Sequence, residues 1–123
     1  MKTTIFYFSA TGNSLHVARL LAAKLGECEL VGLTQLLARK TAKVTAERVG
    51  FIFPTHYFGL PPLVEETMAK LNMDFVRYAF ALATSGSSRY LSSALQQVRA
   101  VLASRGKQLD AGFHIKMISS YPT

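Results

Sequence analysis

Thr3 to Phe8 is β-branched and aromatic, with no polar alternation beyond its first positions, the pattern of a strand covered on both faces. After a polar turn, Leu15, Ala18, Leu21, Ala22 and Leu25 recur at helical spacing, with Lys24 in the last turn and Gly26 as the stop. Cys28 to Val31 predicts a second short strand. Leu33 to Glu47 is ambiguous: Leu33, Leu36 and Leu37 suggest a short helix, and the remainder is basic and patternless. Val49 to Phe53 is a third apolar run, closed by Pro54. Pro61-Pro62 then suit the first turn of a helix, where a missing N–H costs nothing, and Val64, Met68 and Leu71 form its apolar stripe. Tyr78 to Ala83 is the fourth strand. Leu91, Ala94, Leu95, Val98, Val101 and Leu102 give the clearest helix, closed by Arg105-Gly106, and Phe113 to Ile118 is the fifth strand.

Strands alternating with helices predict an α/β domain built on a parallel sheet with helices on both faces. Right-handed crossovers then favour a doubly wound five-stranded sheet in the order 2-1-3-4-5. Such sheets bind ligands beyond the carboxyl ends of their strands, at the point where the strand order reverses. In this chain those ends open into the segments that start at Ser9, Pro54 and Thr84.

Composition narrows the classes. The 123 residues suit one domain, spanning 1–123; half are apolar and 17% are charged, enough to fill a core. No uncharged stretch is a continuous apolar run of the ~18 residues a spanning helix needs, so no membrane span is expected. The apolar run Ile5 to Phe8 is too short for an export signal. The single Cys28 excludes an internal disulfide and a four-thiolate site within the chain. A cytoplasmic protein is the expectation. Fourteen Lys and Arg against seven Asp and Glu, a net charge of +7, favour an anionic partner.

The first segment, Ser9-Ala10-Thr11-Gly12-Asn13-Ser14, joins a buried strand to a helix N-terminus, whose first N–H groups lack intrahelical partners. Those donors, the helix dipole and three hydroxyls make an anion site, and Gly12 permits a tight wrap. No lysine follows, so this is not a Walker loop, and no dinucleotide fingerprint is present. An ordinary turn capped by Asn13 is the plainer reading. In the second segment, Tyr57 and Phe58 suit either stacking on a planar ring or packing on the sheet edge. In the third, Thr84-Ser85-Gly86-Ser87-Ser88-Arg89-Tyr90, the hydroxyls suit a polar ligand edge or the N-cap of the long helix.

Here the chain resembles the flavodoxin family, whose phosphate loop reads Ser/Thr-x-Thr-Gly-Asn-Thr/Ser after the first strand. The order of strands and helices matches over essentially the whole chain. It is most similar to flavodoxin-like domains that precede a ferredoxin-type iron–sulfur domain, which also tend to read Phe-Ser-Ala-Thr-Gly-Asn-Ser here. The resemblance implies FMN as cofactor, its phosphate held by Ser9, Ala10, Thr11, Gly12, Asn13 and Ser14. It implies flavin-flanking roles for Pro54, Thr55, His56, Tyr57, Phe58 and Gly59, and for Thr84, Ser85, Gly86 and Tyr90. Gly59 would permit the peptide reorientation that flavodoxins use when the flavin N5 gains a proton. His56 is equally well a surface histidine. No residue is assigned a catalytic role and none a metal.

The function implied is electron transfer between a reductase and an acceptor, such as an iron–sulfur protein, with no nucleic acid involved. An NAD(P)H-dependent flavin or quinone reductase on the same fold and a cofactor-free interaction module are the alternatives. A receiver domain would need an aspartate where Pro54 stands, and a low-molecular-weight phosphatase a cysteine in the first loop. Two features depart from the family: free flavodoxins are typically acidic, and a final helix normally follows the fifth strand, whereas nothing follows Thr123. One sheet face is therefore expected to be short of cover, leaving Thr3 to Phe8 and Val49 to Phe53 in an apolar patch. A homo-oligomer or a C-terminally truncated domain would follow, unless Leu33 to Glu47 folds across the gap.

Overall fold

Five strands lie parallel in one sheet: β1 (Thr3–Tyr7), β2 (Cys28–Gly32), β3 (Arg48–Pro54), β4 (Tyr78–Ser85) and β5 (Ala111–Lys116). Their order is β2-β1-β3-β4-β5. Four helices alternate with them: α1 (Asn13–Leu25), α2 (Leu33–Ala38), α3 (Pro62–Lys70) and α4 (Leu91–Ser104). This computed structural model describes residues 2–8, 13–38, 43–55, 60–85 and 91–116. Among them no helix is long and apolar enough to cross a membrane.

The central strands read as unbroken apolar runs because both of their faces are buried: Val49, Phe51, Ile52 and Phe53 have no accessible surface. The helix stops are those the glycines announced. Gly26 (φ 82°) donates its N–H to the Ala22 carbonyl. At the end of α4, Gly106 (φ 73°) donates to the Ala103 carbonyl and Lys107 to that of Leu102, the paired bonds of a Schellman motif.

Handedness decides which face each helix covers. The crossover from β1 to β2 runs in one direction along the sheet, and those from β2 to β3, β3 to β4 and β4 to β5 run in the other. Right-handed connections therefore put α1 on one face and α2, α3 and α4 on the opposite one. The core divides accordingly. Phe6, Phe51 and Phe53 pack with Val64, Met68, Val98 and Leu102 on the three-helix face, whereas Ile5 and Ile52 pack with Val17 and Ala18 under α1. Leu36, Val44 and Ala46 belong to the three-helix side, so the described apolar residues of the Leu33 to Glu47 segment do not bridge the gap on the other.

That gap lies elsewhere than expected. Ile5 and Ile52 are fully buried by α1, so Thr3 to Phe8 and Val49 to Phe53 are not the open strands. The open strip is over β4 and β5, where Tyr78 (39%), Phe113 (55%) and Ile115 (38%) keep much of their surface. β4 meets this asymmetry by alternating size. Ala79, Ala81 and Ala83 belong to the cluster under α3 and α4, whereas Phe80 and Leu82 belong to the α1 side. β5 also begins two residues earlier than the Phe113 to Ile118 run predicts. Asp110 accepts the Ala79 N–H at 2.8 Å through Oδ2 and donates its own N–H to the Ala79 carbonyl at 2.8 Å, which fixes the register. Met117 and Ile118 lie outside the described residues.

Candidate functional site

The strand order reverses at β1, which sends the chain to β2 on one side and has β3 on the other. Its carboxyl end is level with that of β2, where Tyr7 pairs with Gly32, and stops two residues short of β3, whose Ile52 pairs with Tyr7 and whose Pro54 pairs with Thr84. The Phe8 N–H still reaches the Ile52 carbonyl at 2.9 Å, so four residues separate the end of the β1 ladder from α1, which begins at Asn13. α1 therefore starts on the carboxyl side of the sheet, where the first N–H groups of a helix lack intrahelical acceptors. No acidic residue stands in the first turn of α1 or of α4.

The site's electrostatics follow from where the carboxylates are. Glu27, Glu29, Glu47, Asp74 and Asp110 all lie at or beside the amino ends of strands, and Glu65 and Glu66 lie on α3. None stands at the carboxyl end of a strand. Glu65, in the first turn of α3, does lie on that side of the sheet, whereas an anion at the start of α1 or α4 meets a helix dipole with no acidic residue in the same turn.

Of the residues singled out from the sequence, Asn13 and Ser14 open α1, Pro54 closes β3 with Thr55 following, and Thr84 and Ser85 close β4. Ser9, Ala10, Thr11 and Gly12, then His56, Tyr57, Phe58 and Gly59, then Gly86 and Tyr90, lie outside the described residues. The described members meet where the topology requires. The Thr55 N–H donates to the Thr84 carbonyl at 2.8 Å and the Thr55 hydroxyl to the same oxygen at 3.3 Å. The Thr84 hydroxyl donates in turn to the Phe53 carbonyl at 3.4 Å. Thr84 is only 3% exposed, and its side chain ties the ends of β3 and β4 together.

One positioning residue escaped the sequence reading. Gln97, two turns into α4, accepts the Leu60 N–H through Oε1 at 2.7 Å, anchoring the residue at which the second segment re-enters the described fold. The two are 37 positions apart, and a glutamine on a helix carries no local signal of such a role. Gln35 is easier to understand. Its Oε1 accepts the Gly32 N–H at 2.7 Å, the backward half of a capping box at the start of α2.

A doubly wound sheet of five parallel strands in the order β2-β1-β3-β4-β5 is the architecture of flavodoxin-type domains. The flavodoxin family model matches residues 5–116, and the chain belongs to that family. No curated protein sequence matches it. Among solved structures it is similar to a putative flavoprotein from Bacteroides uniformis, with a TM-score of 0.74 and 19% identity over 96% of this chain and 92% of that one. It is also similar to a short-chain flavodoxin associated with a non-canonical PDU bacterial microcompartment, with a TM-score of 0.68 and 13% identity over 98% and 87%. An NADH:FMN oxidoreductase in its apo form matches with a TM-score of 0.64 and 15% identity over 94% and 76%. At these identities the likeness is one of fold.

Proposed function

We propose that this chain binds FMN at the carboxyl ends of β1, β3 and β4 and relays electrons between a reductase and an acceptor protein. The observation that carries this reading is the start of α1 at Asn13, separated by four residues from Phe8, where the β1 ladder ends, with no acidic residue in its first turn. A phosphate monoester fits that donor set, so the residues present suit the cofactor that the family implies. Ser9 to Ser14 would hold the phosphate through backbone N–H groups, since no basic residue stands between Lys2 and Arg19. The segments from Pro54 to Gly59 and from Thr84 to Tyr90 would flank the ring, with Tyr57 or Tyr90 on its face. FMN, when bound, supplies the redox chemistry; the chain's own residues orient it and exclude water. The protein partners expected are acidic at their docking face, such as an iron–sulfur protein, because the chain carries a net charge of +7. One cysteine suits a reducing compartment, and work in the cytoplasm is the expectation.

The visible spectrum of the purified protein before and after addition of FMN tests the cofactor. Gly12→Val should weaken FMN far more than riboflavin, because only the phosphate contact is lost; equal losses would contradict the assignment. Tyr57→Ala or Tyr90→Ala should loosen FMN by roughly 0.5–1.5 kcal/mol. Anaerobic bleaching of the flavin by NADH or NADPH alone would favour the reductase alternative.

A further inference from the structure

Only one side of α1 is used to hold the fold. Val17 and Ala18 are buried and Leu15, Leu21, Ala22 and Leu25 half-buried, whereas His16, Arg19, Leu20, Ala23 and Lys24 are exposed. Leu20 stands in the middle of that outward side with 56% of its surface accessible, surplus to the stripe that anchors the helix. Ala23 and Lys24 are its neighbours one turn on. We propose that this outward side of α1, with Leu20 at its centre and Arg19 and Lys24 beside it, docks the acidic face of the electron-transfer partner. This role for α1 rests on the chain being an FMN-dependent electron carrier, and it gives the partner one side of the molecule to occupy.

Charge selects the partner. α1 carries Arg19 and Lys24 and no acidic residue over its 13 positions, and among the described residues no carboxylate pairs with either cation. Glu27, the first carboxylate after the helix, follows the Gly26 stop. Glu29 alternates with Cys28 and Leu30, which pack beneath α1, so it faces the other side of the sheet. Away from β4 and β5, the other exposed large apolar side chains have acidic company. Leu63 sits on α3 with Glu65 and Glu66, and Phe75 follows Asp74 and lies under the Lys43 ammonium. α1 starts on the carboxyl side of the sheet, so a partner seated on it lies beside the FMN site. A small apolar centre with cations around it suits a redox encounter, which buries less than about 1,200 Å² in total and is steered by charge. A second copy is the weaker occupant, because a two-fold contact would set the same cations against one another.

Titration of the full chain with an acidic plant-type ferredoxin, and with a basic cytochrome c as control, tests the surface. At low salt the ferredoxin should bind and shift or broaden the amide signals of Arg19, Leu20, Ala23 and Lys24, and the cytochrome should not. Leu20→Ser should weaken the ferredoxin about tenfold with its salt dependence unchanged. Leu20 is more than half exposed, so this variant should keep its circular dichroism spectrum and thermal midpoint. Arg19→Glu should weaken the ferredoxin about fivefold and lessen the salt dependence. Arg99→Glu, on the exposed side of α4 across the sheet, should leave affinity nearly unchanged. No ferredoxin binding, equal binding of the cytochrome, an unaffected Leu20→Ser variant, or an equal loss in Arg99→Glu would overturn the proposal. The flavin spectrum is a separate readout: ferredoxin landing on α1 of a chain that does not bind FMN would sustain the docking surface and overturn the carrier role instead.

Discussion

Phe80 lays its ring across the α carbon of Gly50, its register partner on the neighbouring strand, so closely that a Cβ built at Gly50 would collide with three ring atoms. The glycine is what lets a large ring lie flat on a sheet face with no helix above β4. Phe80 is only 7% exposed there, although α1 covers just the far half of that face. Gly50→Ala should therefore cost about 1–3 kcal/mol, since the ring must leave its site or strain the strand. Denaturant unfolding of Gly50→Ala, Phe80→Leu and the double variant should show strong coupling, with Phe80→Leu far less damaging in the Gly50→Ala background. Additive losses would mean that the two residues act independently.

Gln97→Leu keeps the size of the side chain and removes the acceptor from the Leu60 N–H, which sits in a buried residue. An unsatisfied buried donor costs about 1–3 kcal/mol, concentrated at the end of the segment that runs from His56 to Gly59. The expected result is faster hydrogen exchange at Leu60 and FMN affinity weakened several-fold. Gln97→Glu, which keeps an acceptor, should restore both.

Two cations hold the turn between α4 and β5 to the segment that follows α3. Arg105 donates through Nη2 to the Leu71 carbonyl at 2.8 Å, and Lys107 through Nζ to the Val76 carbonyl at 3.0 Å. Lys107→Met should lower stability by about 1.5 kcal/mol, the lower end for a hydrogen bond to a charged group. The Arg105→Met cost should add to it, because the two bonds reach different carbonyls. Thermal unfolding of the single and double variants measures both.

Cys28 opens β2 and packs at the edge of the cluster beneath α1. Burial pushes its thiol pKa above the ordinary value of 9.0; Arg48 opposes the shift and Glu29 adds to it. A thiol raised on folding favours the native state below the unfolded pKa, and that contribution is lost as pH climbs through and beyond it. Stability should thus fall above about pH 9, and Cys28→Ser should flatten the fall. At neutral pH iodoacetamide should modify native Cys28 more slowly than the unfolded chain.

The order of elements was legible because each carries its own local signal. The unbroken Ile5 to Phe8 and Val49 to Phe53 runs announce strands buried on both faces, the α4 leucine and valine spacing announces a helix, and Gly26 and Gly106 end helices where only a left-handed residue fits. From those signals the five-stranded order followed by handedness alone, and with it the carboxyl ends as the expected place of a site. What pairs across the fold was not legible. The start of β5 was misplaced because Asp110 acts on Ala79, 31 positions away, and Gln97 was missed because it acts on Leu60. The expected bare strands were likewise wrong. Covering is decided by which side of the sheet each crossover takes, and the β2 to β3 connection carries Leu36, Val44 and Ala46 to the side already occupied by α3 and α4. Hydrophobic periodicity tells a segment to bury one face, but the handed path of the whole chain chooses the partner, and here it leaves Phe113 and Ile115 in the open.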